Sequence, residues 1–305
     1  VQTTLKSAIS FSGTGLHSGR PVRMTVHPAS AEYGIWFRRT DIDGPDALIP
    51  ARWDAVVPSR LCTKLANGRA EVATVEHLMA ALAGCGIHNA LIEIDGPEVP
   101  VMDGSAQPFV RGFLSRGLRR LAAPVRALRI LEPVEVAEGD ARASLAPADT
   151  MEIDFEIDFA DTAIGHQAKR LNMANGAFVR ELCDSRTFCR SADVDTMRAN
   201  GLALGGTLAN AVVVEGDRVL SPGGLRHSDE AVRHKMLDAL GDLALAGAPI
   251  LGRYRGERAG HALTNRLLRA LFARPGAFRL ETCGDDQAAL LPGIGVEVAD
   301  LRAVA

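Results

Sequence analysis

The sequence predicts an α+β fold: two similar domains from an internal repeat, each a mostly antiparallel sheet with packed helices. Three observations carry this. Met151 to Phe159 alternates without error, with Met151, Ile153, Phe155, Ile157 and Phe159 on one face and Glu152, Asp154, Glu156 and Asp158 on the other, the mark of a half-buried strand. Helical periods are as clear elsewhere: Val232, Leu237, Leu240, Leu243 and Ala244 share one stripe. A faint repeat links the halves. Arg23–Ala29 followed by Ile35-Trp36-Phe37 resembles Arg142–Ala148 followed by Ile153-Asp154-Phe155; Ser59-Arg60 resembles Ser185-Arg186; His77–Leu82 resembles His234–Leu240. Two copies of one fold would each give a corresponding helix to a site between them.

Along the chain, Gly13 to Gly19 is glycine-rich but lacks the strand–helix setting of a phosphate loop, so it reads as a tight hairpin. Ile87 to Asp95 is a strand leading into the Gly96-Pro97 turn. Ser105 caps a helix running to about Leu118. A boundary falls at Ala122-Ala123-Pro124, giving a first domain of residues 1–123 and a second of residues 124–276. Ala211 to Leu220 reads as a hairpin turning at Glu215-Gly216-Asp217. Asp229 and Glu230 open a helix that Gly247 closes, and His261 opens another that ends at Pro275-Gly276. Beyond Gly276 the pattern weakens; residues 277–305 read as a C-terminal tail, with Ala288 to Pro292 and the last ten residues loosely attached.

At 305 residues the chain has room for two proper cores. A net charge of −3 argues against a nucleic-acid partner held by bulk electrostatics. The five cysteines are irregularly spaced without a CxxC, which suggests neither a disulfide framework nor a cysteine metal site. Val1 to Lys6 has no apolar signal core and no run is long enough to span a bilayer. The expectation is a reduced, cytoplasmic protein without stable membrane insertion, acting as a monomer.

Two segments look like halves of one metal site. His234 and Asp238 are four apart on a predicted helix, so both project from one face, and Asp242 extends that stripe. With His77 they would make a three-ligand set that leaves a divalent cation an open position, as catalytic sites do. Glu76 points about 100° away from His77 on a helix and suits a water on the metal better than the metal itself. Each feature also has a plainer reading. An i,i+4 His/Asp pair is often solvated and hydrogen-bonded, adjacent Glu-His is common, and His261 is equally a helix-end residue. Lys235 is one of only four lysines and a candidate for an oxyanion, yet reads as a solvated helix residue too. Thr187 has no signal of its own. His27, His88, His166 and His227 read as packing or surface residues, and Cys62 as a buried thiol.

With Thr74-Val75-Glu76-His77-Leu78, Ser185-Arg186-Thr187-Phe188, Gly201 to Gly206, His234-Lys235-Met236-Leu237-Asp238 and Gly260-His261-Ala262-Leu263 in view, the chain resembles the LpxC family, the zinc-dependent UDP-3-O-acyl-N-acetylglucosamine deacetylases of Gram-negative bacteria. Ile94-Asp95-Gly96-Pro97 and Met102 to Ala106 match as well, and the likeness runs in order from about Thr4 to Ala273. It implies helices sandwiched between two sheets. It implies Zn2+ on His77, His234 and Asp238, with Fe2+ compatible with the same ligands. Glu76 would be the general base and His261 the protonated partner of the leaving amine, oriented by Asp242. Thr187 and Lys235 would stabilise the oxyanion. Substrate contacts carried over are Phe188, Lys235, Arg258 near the diphosphate, Phe159 against uracil, Ala203 and His17. Residues 189–207 would be the insert forming an acyl passage, although Cys189-Arg190-Ser191 departs from the more apolar residues of some members, which bears on acyl length and inhibitor sensitivity. The implied reaction hydrolyses the N-acetyl group of UDP-3-O-(3-hydroxyacyl)-N-acetylglucosamine, releasing acetate and the free amine, the committed step of lipid A biosynthesis. Two rivals stay open: a zinc amidase for another N-acylated sugar nucleotide, and a non-catalytic zinc-stabilised binding protein.

Overall fold

The computed structural model describes residues 1–303. Among them the α+β class holds, with several antiparallel and mixed sheets and packed helices. One sheet has five strands in the spatial order Ile9–Thr14, Pro21–Pro28, Ala90–Ile94, Ile35–Arg39, Leu48–Pro50. Its neighbours are antiparallel except Ala90–Ile94 and Ile35–Arg39, which run parallel. A parallel pair needs a crossover rather than a tight turn. Here the crossover contains a small sheet (Val56–Val57, Lys64–Asn67, Ala70–Ala73) and helix α1, Glu76–Gly84.

The larger sheet places Val134–Glu138, Ala141–Ala146, Ile250–Glu257, Met151–Asp158 and His166–Asn172 side by side. Its one parallel contact in that run is again between the third and fourth, Ile250–Glu257 and Met151–Asp158. Arg126–Ile130 and Phe278–Thr282 extend it to seven strands. The alternation read from sequence is seen directly: Met151, Ile153, Phe155 and Ile157 are buried and the acidic residues between them are not.

The longer remaining helices are α2 (Gln107–Arg116), α3 (Ser191–Ala199), α4 (Glu230–Ala244) and α5 (His261–Phe272). The N-cap of α2 is Ala106, one residue after the expected Ser105, whose hydroxyl accepts the Gln107 N–H at 3.2 Å. Helix α2 packs on Ile9–Thr14, α4 and α5 pack on the larger sheet, and α1 packs against α4. Helices α1 and α4 are buried on nearly all sides, the pattern of interior helices. Leu78, Leu82, Leu237 and Leu240 join Val26 and Ile92 of one sheet and Ile153 and Phe155 of the other in one continuous core. Each such side chain contributes about 1.5–3 kcal/mol by leaving water.

The structure departs from the sequence reading at two places. The C-terminal segment is tied in at both ends: Phe278–Thr282, not read as a strand in the sequence, pairs through five residues with Arg126–Ile130, and within the last ten residues the Arg302 carbonyl accepts Gln107 Nε2–H at 2.9 Å. Its side chains alternate weakly because the strand is half-exposed on both faces, so periodicity could not reveal it. Lys64–Asn67 and Ala70–Ala73 form a hairpin, unread in the sequence, around Gly68-Arg69 with Gly68 at φ 54°. No helix among the described residues is long and apolar enough to cross a membrane.

Candidate metal centre and its acid–base groups

The centre lies where α1 meets α4. Gly241 makes the approach possible: a Cβ there would fall 2.0 Å from the Glu76 carbonyl oxygen, so only glycine lets the two backbones come this close. His77 on α1 is thereby brought onto the stripe of His234 and Asp238 on α4. One ligand atom from each of the three lies within 4.8 Å of the others. The Asp238 Oδ1 atom is 3.6 Å from His77 Nε2 and 3.3 Å from His234 Nε2. The imidazoles stand edge to face, ring centres 4.9 Å apart.

These residues fit a divalent metal. The Asp238 Oδ1 atom is buried and has no hydrogen-bond partner, a costly state for a carboxylate oxygen unless a cation takes it. His234 donates its Nδ1–H to the Ser185 carbonyl at 3.0 Å, which fixes the tautomer and leaves the Nε2 lone pair facing Asp238. Burial lowers the His234 pKa to about 4, despite Asp238, so the ring is neutral as a ligand must be. Burial works against the Asp238 anion, but His234, Lys235 and His261 hold its pKa well below the ordinary carboxylate value. Lys235 Nζ donates to Asp238 Oδ2 at 2.9 Å. Burial depresses that ammonium and Asp238 outweighs it, so the pKa is raised and two further donors stay available.

Around the triad sit the acid–base groups. Glu76, the first residue of α1, is 3 % exposed. Burial raises its pKa, tempered by His261 and His77, which moves a carboxylate toward the range of a general base. Its Oε1 lies 3.6 Å from His261 Nε2. His261 opens α5 and donates Nδ1–H to Asp242 Oδ2 at 2.8 Å. Burial pulls its pKa down, yet Asp242, Glu76 and Asp238 together lift it to about 9. Glu76 and His261 thus face each other beside the triad, the imidazole carrying its proton at neutral pH.

Thr187 follows Ser185, whose carbonyl holds His234, and precedes Phe188, whose ring centre is 6.3 Å from that of His234. Phe159 packs edge-on against Phe188 at 5.4 Å. His17 and Ala203 also come together, the Ala203 N–H donating to His17 Nδ1 at 3.3 Å. His17 Nε2 is buried without a partner; burial lowers its pKa against the pull of Glu98. Arg258 stands apart from these contacts, paired with Asp158 at 2.7 Å and with Asp140 at 3.8 Å. Cys62 is buried, and burial together with Glu76 pushes its thiol up to about 11, so it is protonated.

Several supports had no signature in the sequence. The Glu230 carboxylate accepts Arg186 N–H and both sides of its guanidinium, pinning the Ser185–Thr187 turn onto the first turn of α4. Glu98 accepts His17 N–H at 2.8 Å, Ser18 N–H at 2.7 Å and the Thr74 hydroxyl at 2.8 Å. Thr74, just before α1, has φ 56°, a conformation that costs a branched residue about 1–3 kcal/mol and clusters at functional sites. Thr63 touches both Glu76 and Asp242. Only Gly241, a glycine inside an otherwise strong helix, offered a cue.

Splitting an unreactive bond asks for a cation-binding triad, a base beside it and an acid held by a carboxylate; their meeting here places the protein among the metal-dependent hydrolases. Comparison with known proteins narrows the class. Residues 2–273 match the LpxC family, described as UDP-3-O-acyl N-acetylglycosamine deacetylase, and the chain belongs to that family. The UDP-3-O-acyl-N-acetylglucosamine deacetylase of Phenylobacterium zucineum is 51 % identical over 94 % of this chain and 98 % of its own. Those of Idiomarina loihiensis, 48 % identical over 94 % of each chain, and of an Anaeromyxobacter species, 47 % identical over 92 % of this chain and 91 % of its own, are similar too.

Proposed function

We propose that this protein is a UDP-3-O-acyl-N-acetylglucosamine deacetylase of lipid A biosynthesis, with zinc on His77, His234 and Asp238. The observation that carries the reading is the partnerless Asp238 oxygen between two imidazoles, in a chain about half identical to named deacetylases over nearly its full length. When bound, zinc polarises the amide carbonyl and brings a water's pKa down to about 7. Glu76 takes the proton of the attacking water as its oxygen adds to the acetyl carbon. The Lys235 ammonium and the Thr187 hydroxyl donate to the oxygen that becomes negative. His261, held by Asp242, hands its proton to the sugar nitrogen as the C–N bond breaks, so acetate and a neutral amine leave.

The Phe159–Phe188 pair, His17, Ala203 and Arg258 would then hold the nucleotide sugar, and residues 189–207 the acyl chain. We also infer that the two halves, residues 1–123 and 124–276, are copies of one unit with the helices between their sheets. Supporting this is the strand order shared by the five-strand runs of the two sheets, each with a parallel pairing between its third and fourth strands. All ligands and acid–base groups come from one chain, which suits a monomer, and uridine nucleotides place the reaction in the cytoplasm.

The test is mass detection of acetate loss from acylated and non-acylated UDP-N-acetylglucosamine, with and without chelator. Rapid loss from the acylated compound alone, abolished by chelator and restored by Zn2+, is expected. Equal rates on both compounds would point to a different sugar nucleotide. Unfolding of the protein on chelation would favour a structural metal. His234→Ala should hold no zinc, and full occupancy in that variant would remove it from the ligand set.

A further inference from the structure

Thr63 stands at the entry to the strand Lys64–Asn67 and is 3 % exposed. Its backbone N–H donates to Glu76 Oε2 at 3.0 Å. Its hydroxyl donates to Asp242 Oδ1 at 2.5 Å. The other Asp242 oxygen takes His261 Nδ1–H at 2.8 Å, and His261 Nε2 returns to Glu76 Oε1 across 3.6 Å. Four residues thus close a ring, and Thr63 is the only one of them placed on neither side of the proton transfer.

We propose that Thr63 is a positioning residue for the hydrolysis, one that clasps the base and the acid's carboxylate partner in fixed register; this rests on the deacetylase reading above. Glu76 starts α1 and His261 starts α5, so the base and the acid ride on separate helices. Both must reach one amide, and an error of about 1 Å can cost roughly a hundredfold in rate. A single threonine that bonds one with its backbone and the other's partner with its side chain couples the two placements. The hydroxyl has one proton, which Asp242 uses. It is neutral, so it orients Asp242 without cancelling the negative charge that faces His261, as a lysine or arginine in its place would.

The backbone bond to Glu76 survives substitution, so the side chain can be tested alone. Kinetics of the zinc-loaded, full-length protein on the acylated sugar nucleotide would compare wild type, Thr63→Val, Thr63→Ser, Asp242→Asn and the Thr63→Val/Asp242→Asn double variant. Zinc content and thermal unfolding would be recorded for each. Expected is a kcat loss of about tenfold or more for Thr63→Val, with KM within about twofold and zinc stoichiometry unchanged. Thr63→Ser should keep kcat within about threefold, and Thr63→Val should add less than about twofold once Asp242 is already Asn. A Thr63→Val enzyme as fast as wild type, a Thr63→Ser enzyme as slow as Thr63→Val, or full multiplication of the two losses would overturn the proposal. If Thr63→Val does not fold, Thr63→Ala serves as the hydroxyl-free variant under the same criteria. Inert wild type would overturn both this inference and its parent; active wild type with an equally active Thr63→Val would overturn this one alone.

Discussion

Glu76 and His261 face each other across 3.6 Å, the first with its pKa raised by burial and the second with its pKa raised by Asp242, Glu76 and Asp238 against the pull of burial, and the proposed roles of base and acid make separate predictions for each. Glu76→Gln keeps the shape but cannot take a proton. It should retain zinc and lose turnover by about a hundredfold or more; near-normal turnover with full metal would remove Glu76 from the role of base. In the proposed mechanism His261 acts in its charged form. Its pKa is raised to about 9, so the proton is present at neutral pH and is lost as pH rises through that value. The rate should therefore fall on the alkaline side, and His261→Ala should flatten that limb onto a lower plateau. An unchanged pH profile in the variant would return His261 to a helix-end residue.

At the level of elements, the contact between α1 and α4 and the clamp at the start of α4 decide whether the site assembles. Gly241→Ala gains up to about 1 kcal/mol of helix propensity. Against that, the new methyl meets a backbone carbonyl at 2.0 Å, which no side-chain rotation relieves, and overpacking of this kind costs about 1–3 kcal/mol or more. The clash should win: lower stability in urea together with weaker zinc binding, since His77 moves away from α4. Gains in both would refute the close-approach argument. Glu230 and Arg186 are 1 % and 8 % exposed at their side chains. Burial opposes the Glu230 anion, but Arg186 outweighs it and its folded pKa is lowered. A lowered pKa means the stabilisation is complete above the unfolded carboxylate value, about 4.3, and fades as pH falls through the folded value. Glu230→Gln, which strands a buried guanidinium, should cost about 3 kcal/mol at neutral pH. The gap from wild type should close below about pH 4, and a gap constant with pH would contradict the pairing. What the sequence made legible at this scale were the long periodic elements and the residues with a chemical name: the His234/Asp238/Asp242 stripe, Glu76-His77, the 151–159 strand, the start of α2 beside Ser105. Illegible were contacts made by groups every residue owns. The Ser185 carbonyl that orients His234 and the Thr63 N–H that holds Glu76 carry no side-chain signature, and Glu230 finds Arg186 only once α4 has met the Ser185–Thr187 turn.

Across the whole molecule, one core runs through both sheets, and the C-terminal segment belongs to it rather than trailing from it. Removing everything after Gly276 deletes the strand Phe278–Thr282 and bares the edge of Arg126–Ile130. Each ladder bond contributes about 0.5–1.5 kcal/mol net, so the truncated chain should unfold at clearly lower urea; an unchanged midpoint would mean that the segment is only loosely attached. The placement of the ligands on α1 and α4 has a further meaning for how the protein is made. His77 and its two companions are separated by about half the chain, so a ribosome releases the first long before the other two exist. No partial product carries the complete set: until residues 234 and 238 have emerged, His77 stands without its two companions. A cation held by this set would therefore be gripped by a finished interior rather than by a loose polypeptide.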